Sequence, residues 1–94
     1  MEMKDKTFVM NKDFVFREEE EGAFLFNPQT DELHCVNGVG MFICKLCNGK
    51  NHMDEICKRI WEEFDVDVEP HRLRREVESF IERMLALNLL KERE

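Results

Sequence analysis

The stretch FLFNPQTDELHCVNGVGMFICKLCNGK, from Phe24 to Lys50, decides the fold of this chain of 94 residues. Its Asn-Pro pair and the Asp that follows predict a turn, because proline presets φ while Asn and Asp tolerate bent backbone. The alternation in Glu32–Val36 predicts a strand that pairs antiparallel with the strand before the turn. Asn37 is a good N-cap, which predicts a helix that runs to about Cys47. The stretch therefore predicts a hairpin that leads into a short apolar helix.

Glycines lie at both ends of this first helix. Gly38 and Gly40 lie in its first turns, where they lower helix propensity, so we expect close backbone packing there. Asn48 and Gly49 accept left-handed φ and are expected to close the helix.

The strand before the turn spans Ala23–Phe26, and Phe14–Phe16 is another β-prone run. The acidic run Glu18–Glu21 between them predicts a solvated turn. Residues 1–13 are polar and of mixed charge, and we expect them to form a flexible N-terminal arm.

Two more amphipathic helices are predicted on the C-terminal side. The first begins near Asn51 or His52, and Trp61 widens its apolar stripe, so this indole is expected in the core. Pro70 suits the first turn of the last helix, and Asn88 suits a left-handed cap at its end. The apolar residues at helical spacing are Ile56, Ile60, Phe64, Leu73, Val77, Phe80, Met84 and Leu87.

This element order predicts an α+β fold. Three consecutive short strands pair antiparallel, and so small a sheet needs the three following helices for stability. A three-stranded antiparallel sheet with three compact helices is winged-helix-like. The predicted division is an arm over residues 1–13, one domain over 14–90 and a C-terminal tail over 91–94.

The charge and the composition of the chain disfavour several classes of function. The net charge is −7 and the pI is about 5.0, which disfavours a nucleic-acid binder because such proteins need basic charge. No apolar run is long enough to span a bilayer, and no signal-peptide core is visible at the N-terminus. We therefore expect a cytoplasmic protein with reduced cysteines and no membrane or nucleic-acid partner. A winged-helix DNA-binding regulator remains an alternative, since arginines crowd the start of the last helix.

The cysteines raise the question of metal or redox chemistry. Cys44 and Cys47 share a helix face, but His34 and Cys35 are neighbours on a strand and point to opposite faces. Zinc would need four ligands in a tetrahedral array, and buried cysteine usually behaves as a small hydrophobe. We therefore expect core cysteines, no metal, no cofactor and no catalytic site. A small cysteine-based zinc or redox protein stays an alternative.

The sequence as a whole resembles the PqqD-like peptide-binding proteins, the recognition elements of ribosomally made, modified peptides. The resemblance rests on the ordered set GAFLFNPQTDELHCVNGVGMFICKLCNGK, DEICKRIWEEFDVD and VESFIERMLALNLL, and it covers about Val15 to Leu90. It implies a non-catalytic chain that binds the leader segment of a precursor peptide and presents it to a modifying enzyme, often a radical SAM maturase.

The resemblance also implies a binding site. The leader would add as a strand to the edge of the sheet, in the groove between the third strand and the third helix. Basic residues at the start of that helix would steer acidic leader residues, unless they serve helical ion pairs. A homodimer and a structural subunit that never touches the leader remain open. The expected peptide-binding residues are Glu32, Leu33, His34, Cys35, Val36, Arg74, Arg75, Glu78, Ser79 and Glu82.

Overall fold

A computed structural model describes residues 3–93 of the chain. The expected α+β fold is confirmed, with a three-stranded antiparallel sheet followed by three helices in a winged-helix-like arrangement. A second sheet, of two strands, joins the two ends of the described chain. The elements are β1 (Thr7–Met10), β2 (Val15–Glu19), β3 (Gly22–Asn27), β4 (Glu32–Asn37), α1 (Gly38–Leu46), α2 (Met53–Glu63), α3 (Pro70–Ala86) and β5 (Leu90–Arg93).

The β3–β4 hairpin forms as its turn chemistry predicts. The backbone N–H of Gln29 donates to Oδ1 of Asn27 at 2.9 Å. Asp31 has a φ of 63°, in the left-handed region that Asp tolerates. The register pairs Phe26 with Leu33. Because the sheet order is β2-β3-β4, β3 is central while β2 and β4 form the two edges.

The predicted helix ends are confirmed. The backbone N–H of Gly40 donates to Oδ1 of Asn37 at 2.8 Å, which caps the start of α1. Gly49, after the end of α1, has a φ of 84°. Pro70 is the first residue of α3, and Asn88 beyond its end has a φ of 62°. These are local signals, and each acts on a backbone group within a few residues.

The helices bury most of the predicted stripes, but Trp61 of α2 and Leu87 at the end of α3 are exposed. Ile56 and Ile60 of α2 and Val77 of α3 are buried in the core. The expectation for Trp61 is wrong, because its side chain is 44% exposed. The buried residues of α2 are Met53, Ile56 and Ile60, a stripe too narrow to include the indole. No helix within residues 3–93 is long and apolar enough to cross a membrane.

The chain ends differ from the flexible arm and tail that the sequence suggested. Residues Thr7–Met10 pair antiparallel with Leu90–Arg93. Phe8 is completely buried, and its carbonyl accepts a hydrogen bond from the N–H of Gly49 at 2.8 Å. The backbone N–H of Asn11 donates to the carbonyl of Leu89 at 3.0 Å. The first two residues and the last one lie outside the described residues, and the domain limits 14–90 remain a prediction.

The two helical cysteines lie in the core, as expected. Cys44 and Cys47 are 0% and 3% exposed and join the main hydrophobic cluster. Burial raises the pKa of both thiols to about 12, which keeps them protonated and unreactive. Cys35 is exposed and Cys57 half-buried. Among residues 3–93, no three His, Cys, Asp or Glu side chains gather in a way that could hold a metal ion.

Candidate functional site

The sheet offers an open edge at β4. Within residues 3–93, β4 pairs only with β3, so its outer backbone groups have no strand partner. The opposite edge, β2, carries Arg17, Glu18 and Glu19, and charges of this kind disfavour the pairing of another strand. β4 carries a single carboxylate, Glu32 at its start, and no lysine or arginine. Of the two edges, β4 is thus the better acceptor for an extended segment.

A groove lies beside the end of β4, between α1 and α3. It has a volume of about 300 Å³. Val39 of α1, 39% exposed, and the half-buried Phe80 of α3 give it apolar walls. Glu76 and Arg83 of α3 supply one charge of each sign. The guanidinium carbon of Arg83 lies 5.7 Å from the centre of the Phe80 ring, a cation–π contact.

Gly40 allows the three elements of the groove to approach each other. A Cβ atom at this position would lie 3.0 Å from Cβ of Val36 and 3.1 Å from Cε1 of Phe80. The predicted close packing is therefore confirmed at Gly40. It is wrong for Gly38, where an added Cβ would meet only the carbonyl oxygen of Glu21, at 3.8 Å.

The structure brings the predicted strand residues together on the open edge. Leu33 and Cys35 are exposed on the outer face of the sheet, whereas His34 and Val36 are half-buried on the inner face. The His34 ring is 6.1 Å from the ring of Phe14, and the side chains of Glu32 and His34 approach to 3.4 Å. Both faces of β4 therefore have side chains that could contact an added strand.

The predicted helical residues lie elsewhere on α3. Arg74 donates a hydrogen bond to the carboxylate of Asp54 on α2, and its Nε lies 3.4 Å from Oε2 of Glu78. The hydrogen bond and charge of Arg74 lower the pKa of Asp54. Arg74 thus serves ion pairs, one with Asp54 across the α2–α3 contact and one with Glu78 a turn further along α3, which is the expected helical ion pairing.

The other predicted residues of α3 do not line the groove. Arg75, Ser79 and Glu82 are exposed, and none is among the groove-lining residues. One residue of an α-helix turns the side chain by about 100°, so Arg75 and Glu76 face different directions. The groove side of α3 instead carries Glu76, Phe80 and Arg83. Their spacing of four and three was visible in the sequence, but the side on which α1 packs was not.

Comparison with known protein families gives one match that covers most of the chain. The family described as "Coenzyme PQQ synthesis protein D (PqqD)" matches residues 22–90, which is most of the sequence.

The chain belongs to the PqqD family.

Solved structures share the fold of this PqqD family member. One, described as TbiB1 in complex with the TbiA(beta) leader peptide, is 22% identical with a TM-score of 0.75, over 88% of this chain and 94% of that chain. Another, described as lasso peptide synthetase B1 complexed with the leader peptide, is 12% identical with a TM-score of 0.77, over 89% and 96%.

The same fold also occurs inside a larger protein. The heterocyclase TruD matches 94% of this chain with a TM-score of 0.65 and 14% identity, but the match covers only 12% of the heterocyclase chain. No curated protein matches the sequence.

Proposed function

We propose that this chain binds the leader segment of a ribosomally synthesised precursor peptide by β-strand addition at β4, and presents it to a modifying enzyme. The observation that carries the proposal is the open β4 edge with the α1–α3 groove beside it. Two structures of the same fold are described as complexes with leader peptides, and a third forms part of a heterocyclase, which supports this proposal.

Strand addition explains why both edge and groove are needed. Ordering one leader residue costs about 1–2 kcal/mol, and one backbone hydrogen bond returns about 0.5–1.5 kcal/mol net. The backbone ladder therefore roughly balances its own entropy cost. Micromolar affinity requires about −8 kcal/mol, and one large buried apolar side chain contributes about 1.5–3 kcal/mol. Two or more apolar leader side chains must therefore be buried, and the groove beside Val39 and Phe80 is where we place them.

We assign each part of the site a separate role in this proposal. Residues Glu32 to Val36 supply the backbone edge, and the inner-face side chains of the added strand point toward the groove. Arg83 is the groove cation and attracts acidic leader residues, whereas Arg75 lies outside the groove. Catalysis belongs to the modifying enzyme, for which a radical SAM protein is the preferred class, and the pair acts in the cytoplasm.

A titration of ¹⁵N-labelled protein tests the proposal, with a synthetic leader peptide taken from a precursor identified in the neighbouring genes. We expect the amides of β4, α1 and the groove side of α3 to shift together, with weaker changes at β2. If only the amide signals of β2 shifted, or none did, binding at β4 would be refuted. Self-pairing of two β4 edges would appear instead as a concentration-dependent shift without leader.

Paired variants test the groove. Phe80→Ala should weaken leader binding about tenfold or more, because a buried aromatic contact is lost, while Trp61→Ala should leave it unchanged. Arg83→Glu should weaken binding and flatten its salt dependence, and Arg75→Glu on the same helix is the matched control. Phe80→Leu keeps most of the apolar volume and serves if the alanine variant unfolds. Equal effects of the Arg83 and Arg75 changes would contradict the assignment of the groove.

A further inference from the structure

The outer face of the three-stranded sheet, opposite the helices, carries a row of exposed apolar side chains. The register places Val15 of β2 beside Phe26 of β3, and Phe26 beside Leu33 of β4. These side chains are 56%, 37% and 57% exposed. In the next row, Phe24 is also 37% exposed and lies between Arg17 and Cys35. We call this set the outer patch: Val15, Arg17, Phe24, Phe26, Leu33 and Cys35.

The outer patch is continuous and concave. A depression of about 310 Å³ lies among Val15, Phe26 and Leu33, and a second one of about 340 Å³ extends from Phe24 toward the β2–β3 turn. Phe24 lines both. The opposite face of the sheet is the one that enters the core, since Leu25 is only 1% exposed. Contiguous apolar surface of this kind on a soluble protein typically marks an interaction site.

The charges around the outer patch decide which occupant it suits. The β2–β3 turn at one end consists of Glu20 and Glu21, and the β3–β4 turn at the other end contains Asp31. The one cation within the patch, Arg17, is paired with Glu19, with Nε and Oε2 3.3 Å apart. The patch is therefore an apolar surface with acidic borders at both ends.

A second copy of the chain fits this surface poorly. Two outer patches stacked face to face would bring an acidic turn of one copy against an acidic turn of the other in either orientation. The net charge of −7 adds to this repulsion. A partner with an apolar patch bordered by lysine and arginine would match both the apolar surface of the outer patch and its acidic borders.

We propose that the outer patch docks a protein partner whose own apolar patch is bordered by basic residues, and that this partner is the modifying enzyme. The inference rests on the proposed function. Strands lie about 4.8 Å apart, so a leader strand added to β4 would run about 14 Å from β2 and about 10 Å from β3. The patch residues on β2 and β3 therefore stay accessible when the leader is bound, whereas Leu33 and Cys35 of β4 lie beside it, so an enzyme on the patch meets the leader at the β4 edge.

The double variant Val15→Thr/Phe26→Thr tests the proposal, because threonine keeps β propensity while it removes the apolar surface. The 94-residue chain is titrated separately with a purified modifying enzyme, identified from the neighbouring genes, and with the synthetic leader. We expect enzyme binding to weaken about tenfold or more and leader binding to change less than about twofold. Trp61→Thr, which removes an exposed apolar side chain elsewhere, is the matched control. The single change Val15→Thr is the milder variant if the double one unfolds.

The acidic border has its own test. Glu20→Gln/Glu21→Gln should slow association with the enzyme at low salt and leave the unfolding midpoint unchanged, because both side chains are exposed at a turn. Faster association would overturn the choice of a basic partner.

The outcomes separate the two proposals. Unchanged enzyme binding by the Val15/Phe26 variant, or no enzyme binding by the wild type, overturns the docking surface and leaves the leader site standing if the leader still binds. If the wild-type chain does not bind the leader, the proposed function is refuted instead. A dimer in sedimentation equilibrium that the Val15/Phe26 variant abolishes would assign the patch to a second copy and overturn the proposal.

Discussion

Gly40→Ala is the substitution for which the structure makes the sharpest prediction. The new methyl carbon would lie 3.0 Å from Cβ of Val36 and 3.1 and 3.2 Å from two ring carbons of Phe80. Carbon atoms pack best about 3.5–4.0 Å apart, so the ring or the helix must move by about half an ångström. Overpacking of this kind typically costs about 1–3 kcal/mol.

Two effects oppose each other in this variant. Alanine is preferred over glycine inside a helix by about 0.8–1.0 kcal/mol, which offsets part of the overpacking cost. We therefore expect a net loss of about 0–2 kcal/mol in the free energy of unfolding. Gly38→Ala is the matched control, because its Cβ would meet only Glu21 O at 3.8 Å. It gains part of the helix preference, about 0.5 kcal/mol, without a clash, so the two variants should differ by about 0.5–2.5 kcal/mol.

Equilibrium unfolding in urea measures this difference directly, and thermal unfolding should show it as a separation of several degrees in Tm. Titration with the leader adds a second readout. A displaced Phe80 ring enters the groove, so Gly40→Ala should weaken leader binding while Gly38→Ala should not. If Gly40→Ala proved as stable as Gly38→Ala and bound the leader equally well, the close approach of α1 to α3 and β4 would be wrong.

The ionisable groups give three further predictions. A thiol reagent should modify exposed Cys35 in the folded protein, whereas Cys44 and Cys47 should react only at the rate of unfolding; fast labelling of all three would contradict their burial. The folded-state pKa of these two thiols is raised from 9.0 to about 12, so the free energy of unfolding measured in urea should fall as the pH rises above 9.0. The double variant Cys44→Ala/Cys47→Ala should show a smaller fall, even though it leaves a cavity. Because Arg74 lowers the pKa of Asp54, their pair should stabilise the fold above the usual carboxyl pKa of 3.8 and lose that contribution as the pH falls below it; an Asp54→Asn variant with the same acid profile as wild type would refute this.

The helix and hairpin ends could be predicted because their signals are local. Asn27 and Asp31 shape the turn, Asn37 caps α1, and Asn88 ends α3 in the left-handed region. Each acts through its own backbone or through an atom within three residues. The alternation of β4 likewise follows from side chains that point to opposite faces of one strand.

The candidate site could be predicted only in part. The edge strand Glu32–Asn37 was placed correctly because consecutive antiparallel strands leave the last one outermost. The residues predicted on α3 lie outside the groove, and Arg75 and Arg83 look alike in sequence. Only the packing of α1 through Gly40 decides that the side with Phe80 and Arg83 faces the groove.

The sequence by itself determined the order and the ends of the three helices and of strands β2 to β4, because turn chemistry, caps and hydrophobic period act between neighbours in the chain. Tertiary structure alone decided that Thr7–Met10 pairs with Leu90–Arg93, that Trp61 stays 44% exposed, and that no helix of residues 3–93 covers the outer patch. Those outcomes depend on contacts between segments far apart in sequence. They are decided by backbone hydrogen bonding between distant strands and by the limited area of sheet that three helices can cover. Neither can be predicted from a local sequence pattern.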